Sequence, residues 1–326
     1  MKFPKISILC LAYNHEKYIS QTIDSFLMQK TNFDYEILIH DDASTDKTPE
    51  ILKEYQKKFP NIIKLVIQKE NQLSKIKTGI LKTFLLPSAK GKYIALCEGD
   101  DYWIDAYKLQ KAVDSLDQNS DCIMFAHNSY ILYPDNRKEL LIKRNNVLNN
   151  KFSLINQIYT HTSARVFRNI KNLPPGDIFQ YHYLLSKGNC YYYDKPLSVY
   201  RYNHKGVWSS VDRKEQEKFN NIVIYLINIM LNYKYNNYYS EIMPTDFQYF
   251  KNNYKNEMAW ILYYIHKNYR YSDIFNPKTN FIKFPNKDLK IWTQYSRLEK
   301  YPIIRYIVKN KKILKLYYKK YLKDLL

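Results

Sequence analysis

The sequence predicts an α/β fold: a mostly parallel central sheet with helices on both faces, followed by a helical, basic C-terminal appendage. Three observations predict it. Short apolar, strand-like runs alternate with amphipathic stretches through the first 133 residues. Past residue 134 the regular alternation lapses. Past about residue 211 the pattern is helical, rich in Tyr, Lys and Asn, and contains none of the chain's 6 glycines. These shifts divide the chain into a domain over 1–210, with halves of about 1–133 and 134–210, and a region over 211–326.

Residues 5–13 (KISILCLAY) read as a buried strand. Residues 15–29 follow as a helix, with Ile19, Ile23, Phe26 and Leu27 on one face and Asn14 as its N-cap. Residues 35–41 (YEILIHD) are a second strand. A helix then spans about 49–59, where Thr48 can cap and Pro49 suits the first turn. Residues 62–68 are a third strand, 74–89 a helix with breaks, and 92–97 (KYIALC) a fourth strand. A helix over 105–117 turns Leu109, Val113 and Leu116 inward, and 122–132 is a fifth strand. Further on, 161–168 reads as a strand. A helix over 177–187 is closed by Gly188 as a left-handed cap, and 191–202 is a strand with a turn at 194–196.

The 326 residues are 45% hydrophobic and 25% charged, a globular composition. The formal net charge of +20 should attract polyanions. No RNA-recognition or zinc signature accompanies it, so nucleic acid is not the expected partner. Cys10, Cys97, Cys122 and Cys190 form no C-x-x-C pair and read as reduced core thiols. The first apolar stretch is too short for a signal peptide. No run approaches the ~20 apolar residues of a membrane span. In 288–326, Leu, Ile and Tyr recur at helical spacing between lysines, a pattern suited to an anionic lipid surface, with packing on the catalytic domain or a dimer contact as the competing reading. The expected location is therefore cytoplasmic, peripheral at the inner membrane face.

In a parallel sheet, ligands sit beyond the carboxyl ends of the strands. The first strand ends in Leu11-Ala12-Tyr13-Asn14, the second in Asp41-Asp42-Ala43-Ser44-Thr45-Asp46, and the fourth in Glu98-Gly99-Asp100-Asp101-Tyr102-Trp103. These clusters should converge on one rim. Carboxylates crowded there repel one another, and a divalent cation with a taste for oxygen, Mg2+ or Mn2+, offsets that repulsion.

Together LAYNHEKYI, EILIHDDASTDKT and GKYIALCEGDDYW resemble the family 2 glycosyltransferases, inverting enzymes of the GT-A fold, here of the bacterial surface-glycan type. The resemblance covers roughly residues 4–210. It implies that Leu11, Ala12, Tyr13 and Asn14 line the nucleotide base and that Asp41 and Asp42 contact base and ribose. Glu98 and Asp100 occupy the two places of the family's Asp-x-Asp metal motif around Gly99, with Glu98 replacing the more usual Asp. Lys69, Lys75 and Lys77 border the donor. Asp101 and Trp103 fall on the acceptor side, with His161 lining the acceptor pocket. Arg165 and Arg168 could touch an acceptor phosphate, but a solvated or core-edge role is the expected one.

Gly176-Asp177-Ile178-Phe179 resembles the family's acceptor-side segment, which makes Asp177 the base that takes the acceptor proton. Asp177 would equally suit a helix N-cap. YRYNHKGVWS, residues 200–209, resembles the closing segment. It offers His204 to the metal or diphosphate, Gly206 for close backbone approach, and Trp208 either over the sugar or closing the core. The implied activity is metal-dependent transfer of a sugar, from a nucleotide diphosphate donor with UDP favoured, to a hydroxyl of a surface glycan or lipid-linked saccharide. The rival readings are a nucleotidyltransferase on the same acidic site and a non-catalytic glycan- or lipid-binding module.

Overall fold

The computed structural model describes residues 3–202, except 74, 76–78, 144–150, 154–157, 171, 172 and 175. The expected helical region 211–326, with its basic segment, lies outside the described residues, as do Lys77, His204, Gly206 and Trp208.

The elements run β1 (Ile6–Ala12), α1 (Ile19–Leu27), β2 (Tyr35–Asp41), α2 (Thr48–Lys58), β3 (Ile63–Ile67), β4 (Tyr93–Leu96), β5 (Tyr102–Trp103), α3 (Lys108–Gln118), β6 (Cys122–Leu132), β7 (Lys138–Leu140), β8 (Lys151–Phe152), β9 (Arg165–Arg168), α4 (Asp177–Leu185) and β10 (Asn189–Arg201). One sheet has the order β3-β2-β1-β4-β9-β6-β10-β5, with β7 added on β6 and β8 on β10. The β3-β2-β1-β4 half is wholly parallel, as expected. The other half is mixed. β9 runs antiparallel to both β4 and β6, and β5 antiparallel to β10, while β6 and β10 are parallel.

The parallel half is covered on both faces, which is why β1 and β2 are almost unbroken apolar runs. Ile6, Ile8 and Cys10 of β1, Ile37 and Ile39 of β2, and Ile19, Ile23 and Phe26 of α1 share one core and are shut off from solvent. The polar exceptions inside it are satisfied. Ser7 donates to Glu36 at 2.7 Å and accepts from the N–H of Gly91, and Glu36 also accepts from Lys64 and from the N–H of Lys90. All four cysteines are buried free thiols. Among the described residues no helix is long and apolar enough to cross a membrane.

Several local expectations are corrected. Asn14 does not cap α1: the helix starts five residues later, and Asn14 takes a left-handed conformation with φ 56°. Thr48 is the first residue of α2, not its cap. Its N–H is held by Asp46 Oδ1 at 2.9 Å, while its own hydroxyl accepts from the N–H of His15. In place of a helix over 74–89, the described part holds a π turn at Leu81–Leu85 and a 3-10 turn at Leu86–Ser88, where Pro87 cannot continue an α-helix. Gly188 has no left-handed φ. A Cβ there would lie 2.8 Å from the carbonyl oxygen of Asp121, so close approach is what calls for glycine. The turn expected at 194–196 is a register shift inside one strand, β10, because Pro196 has no N–H for the ladder.

Candidate active site

Parallel pairing brings the acidic strand ends together. Ala12 lies beside Asp41 in register, and Leu9 beside Leu96. The N–H of Asp42 donates to Ala12 O at 3.0 Å, and that of Gly99 to Leu11 O at 2.8 Å. Leu11 and Ala12 therefore face the site mainly as backbone; Ala12 is buried, whereas the Tyr13 ring is 44% exposed at the rim. Asn14 Oδ1 accepts from the N–H of Thr45 at 2.8 Å, and Ser44 Oγ accepts from the N–H of Asn14. Two non-glycine residues, Asn14 and Ala43 at φ 61°, are left-handed at these facing loop starts. Strain of that kind collects at ligand sites.

Asp41 and Asp42 were expected to reach the base and ribose. Both are buried, and both carboxylates are engaged locally. Asp41 accepts from the N–H and hydroxyl of Ser44. Asp42 is spent on the segment that follows β3, the neighbouring strand, accepting from the N–H groups of Gln72 at 2.7 Å and Leu73 at 3.0 Å. Lys75 is exposed and paired with Glu70 at 2.5 Å.

The turn after β4 is the electrostatic centre. Its N–H at Asp101 closes onto Glu98 O at 3.1 Å. Thr22 Oγ1, from α1, lies 2.9 and 2.6 Å from the carbonyl oxygens of Gly99 and Asp101. Gly99 is required by space: a Cβ would come within 2.6 Å of His15 Nδ1 and 3.1 Å of Leu11 O. Glu98 and Asp100 are half-buried at the mouth. His15 Nε2 stands 3.9 Å from Asp100 Oδ2. The Glu98 carboxyl is pushed up to about 8 by burial, then by the charges of Asp100 and Asp177. Mutual repulsion thus links the acidic turn to the start of α4.

Asp101 and Trp103 do not line an acceptor surface. Asp101 is 1% exposed; its Oδ1 accepts from the N–H of Arg201 at 3.0 Å, and Oδ2 lies 3.5 Å from His161 Nδ1. Burial and then Asp100 raise its carboxyl well above the ordinary range. Trp103 is a core residue, 4.7 Å from Phe26 by ring centroids, with Nε1 donating to Ser163 O. Its tryptophan bulk fills the space under α1, which leaves nothing for a substrate to touch. His161 is stacked on Tyr200 at 4.2 Å beneath the turn and held down to about 3 by burial and by Arg165. Arg165 is buried, donating to Thr160 and, at 3.3 Å, to the carbonyl of Asp177. Arg168 is tied to the carbonyls of Cys122, Leu116 and Asn119. Both take the expected core-edge role, and neither is poised for an acceptor phosphate.

Asp177 is exposed at the first turn of α4. Gly176, with φ 81°, holds the cap position instead. The carboxylate accepts from the N–H of Ile178 at 2.8 Å and from the hydroxyl of Tyr159 at 3.3 Å. Sequence reasoning missed Tyr159, His15, Thr22 and Arg201. Only His15 and Arg201 carried a signal, since both sit inside the motif segments LAYNHEKYI and YRYNHKGVWS.

Residues 7–170 match the profile of Glycosyl transferase family 2, half of the chain. The chain belongs to that family. Among its relatives, an uncharacterized Mycobacterium tuberculosis protein is 31% identical over 226 residues, which is 64% of this chain and 63% of that protein. The chain thus spans about 63% of the length of that relative. A poly(ribitol-phosphate) beta-glucosyltransferase of Bacillus spizizenii is 37% identical over 99 residues, 30% of this chain and 15% of that enzyme. Among solved structures, S. aureus TarS in complex with UDP-GlcNAc superposes with TM-score 0.55 at 18% identity, covering 82% of each chain. TarS in complex with UDP gives TM-score 0.53 at 17% identity, covering 83% of this chain and 81% of that one. The architecture is therefore the GT-A fold, a Rossmann-like mixed sheet with flanking helices.

Among the described residues no three His, Cys, Asp or Glu side chains form a ready-made metal cage. The pair Glu98 and Asp100 still suits a hard divalent cation. Both are oxygen donors, both are half-buried, and the rise in the Glu98 carboxyl, due first to burial and then to the neighbouring charges of Asp100 and Asp177, is one that a bound cation would offset. Two protein carboxylates with the remaining places left for donor oxygens is the usual arrangement for Mg2+ beside a phosphate.

Proposed function

We propose that the chain is an inverting, metal-dependent glycosyltransferase that moves a sugar from a nucleotide diphosphate, UDP favoured, to a hydroxyl of a surface glycan or lipid-linked saccharide. One observation carries the reading: Glu98 and Asp100 stand half-buried in one turn at the strand ends, with the exposed Asp177 near enough that its charge, after burial and Asp100, adds to the rise of the Glu98 carboxyl to about 8. A donor site and a base on opposite sides of one reacting carbon require that proximity. The superposition with the fold of TarS, solved with UDP and with UDP-GlcNAc, supports the choice of donor.

Glu98 and Asp100 would hold the cation, which supplies charge neutralisation for the departing nucleoside diphosphate. Asp177 accepts the proton of the acceptor hydroxyl as that oxygen forms its bond to the anomeric carbon; the bond to the diphosphate oxygen breaks on the opposite face, which inverts the configuration. Tyr13 and Asn14 border the base. We place the catalytic domain at 1–210 and the protein peripherally at the inner membrane face, on the strength of the +20 charge and the lysine-rich segment 288–326.

The test is a panel of nucleotide sugars incubated with Mn2+ or Mg2+, with release of nucleoside diphosphate as the readout. Release from a UDP-sugar, abolished by Asp100→Ala together with metal-dependent UDP binding, is expected. Release independent of metal, or Asp100→Ala behaving as the parent protein, would overturn the metal assignment. Pyrophosphate release from a nucleoside triphosphate would mark a nucleotidyltransferase instead.

A further inference from the structure

We propose that Arg201 is a positioning residue for the acidic turn, holding its backbone so that the Asp100 carboxylate stays free for the donor complex. This rests on the reading above that Glu98 and Asp100 serve a cation and a diphosphate.

Arg201 is the last residue of β10, far in sequence from the turn, yet it touches the turn at two points. Its backbone N–H donates to Asp101 Oδ1 at 3.0 Å, and its Nη1 donates to the carbonyl oxygen of Asp100. Nη2 donates to Gln21 Oε1 on α1. The guanidinium carbon lies over two rings, 4.4 Å from the centroid of Tyr102 and 4.9 Å from that of Tyr18. One side chain thus joins β10, the acidic turn and α1.

What the fork leaves alone is informative. An arginine placed only for its charge pairs with a carboxylate, the bidentate geometry it suits best. Arg201 makes no ion pair among the described residues; it takes the carbonyl of Asp100 and an amide oxygen instead. Among the described residues the Asp100 carboxylate has no ion-pair partner nearer than the His15 imidazole at 3.9 Å, which burial holds toward its neutral form. Pinning the peptide fixes where that carboxylate points without occupying it. A lysine cannot substitute. Its ammonium is a point donor on a flexible stem, unable to hold both oxygens at once as the planar fork does. Supports of this kind typically change ligand affinity by about 10- to 100-fold when removed.

The experiment compares Arg201→Lys, Arg201→Met and Gln21→Leu by calorimetric titration of UDP with Mn2+, and by ligand-observed NMR of uridine without metal. Both arginine variants should weaken UDP–Mn2+ binding on the order of tenfold. Uridine binding, which depends on the base pocket and not on the acidic turn, should not change. Gln21→Leu, on an exposed helix position that the fold does not need, should weaken UDP–Mn2+ binding by a smaller factor. If the arginine variants fail to fold, the Gln21 variant decides the matter, and wild-type affinity in it overturns the proposal. Arg201→Lys binding as the parent does would reduce Arg201 to a charge. Equal loss of UDP and uridine would reduce it to a structural residue. A parent protein that binds no UDP with Mn2+ would overturn the donor reading and this proposal with it.

Discussion

Tyr159 donates its phenolic hydrogen to Asp177 Oδ2 across 3.3 Å, while the N–H of Ile178 holds Oδ1 at 2.8 Å. The phenol is pushed up to about 12 by burial and by the Asp177 charge, so it stays protonated and remains a donor throughout the neutral range. The ring itself is braced by Tyr181 at 5.7 Å and by the Arg165 guanidinium at 5.2 Å. Tyr159→Phe keeps the ring and removes the donor. We expect kcat to fall about three- to tenfold, the worth of one modest hydrogen bond, with the donor KM unchanged. Steady-state kinetics at saturating acceptor checks this, and a rise in donor KM would place Tyr159 on the donor instead.

Asp177→Asn preserves the shape of the first turn of α4 but cannot accept a proton. Turnover should fall by about 10²-fold or more, the usual contribution of a general base. UDP affinity with Mn2+ should stay near that of the parent, because Asp177 touches α4 and Tyr159 and not the acidic turn. Calorimetry beside turnover assays separates the two quantities. Parallel loss of both would make Asp177 a structural residue.

Lys108 is buried on α3 with no hydrogen-bond partner for Nζ among the described residues, its ammonium 3.8 Å from the Trp103 ring centroid. Burial lowers it from 10.5 to about 7, against the pull of Cys97 and Asp105; His127 on β6 also faces it. The unfolded chain therefore binds a proton that the folded chain resists between about pH 7 and 10.5. Stability should rise with pH across that window, and the penalty is fully present below about pH 7. At one pKa unit per about 1.4 kcal/mol, the shift from 10.5 to about 7 puts the penalty on the order of 5 kcal/mol at most. Lys108→Met should raise Tm at pH 6.5, and its advantage over the parent should shrink by pH 9.5. A constant Tm difference across that range would contradict the buried-charge account.

Gly91 sits where β1 and the start of β4 nearly touch. A Cβ there would lie 2.4 Å from Ser7 N, 2.6 Å from Ile6 C and 2.8 Å from Tyr93 O, all backbone atoms that cannot swing aside. Gly91→Ala should cost roughly 1–3 kcal/mol, as overpacking does, and loosen the Ser7–Glu36 hydrogen bonds. The urea midpoint measures it; an unchanged midpoint would mean that the strands part freely.

The parallel half of the sheet was legible because its strands are local apolar runs buried on both faces, unbroken in β4 and nearly so in β1 and β2, with only the edge strand β3 carrying an exposed Lys64. The acidic clusters were legible for the same local reason, since Asp41–Asp46 and Glu98–Asp101 each stand directly after a strand. Asn14 was misread because its oxygen has two competing uses. The residues after it favour a cap, but the 43–45 loop across the cleft offers the N–H of Thr45, and that bond prevails. Trp103 was misread because an aromatic beside a motif looks the same whether it faces substrate or core. Only the packing of α1 over it distinguishes the two.

By itself the sequence determined the α/β class, the order of the first strands and helices, and which strand ends carry carboxylates. Each of these depends on residues a few positions apart. Only the tertiary structure decided that β9 turns the second half of the sheet mixed, that Asp101 and Trp103 lie inside, and that Arg201 closes on Asp100 from a hundred residues away. Those outcomes depend on which distant segments become neighbours. Sheet order sets that, and no periodicity along the chain encodes it.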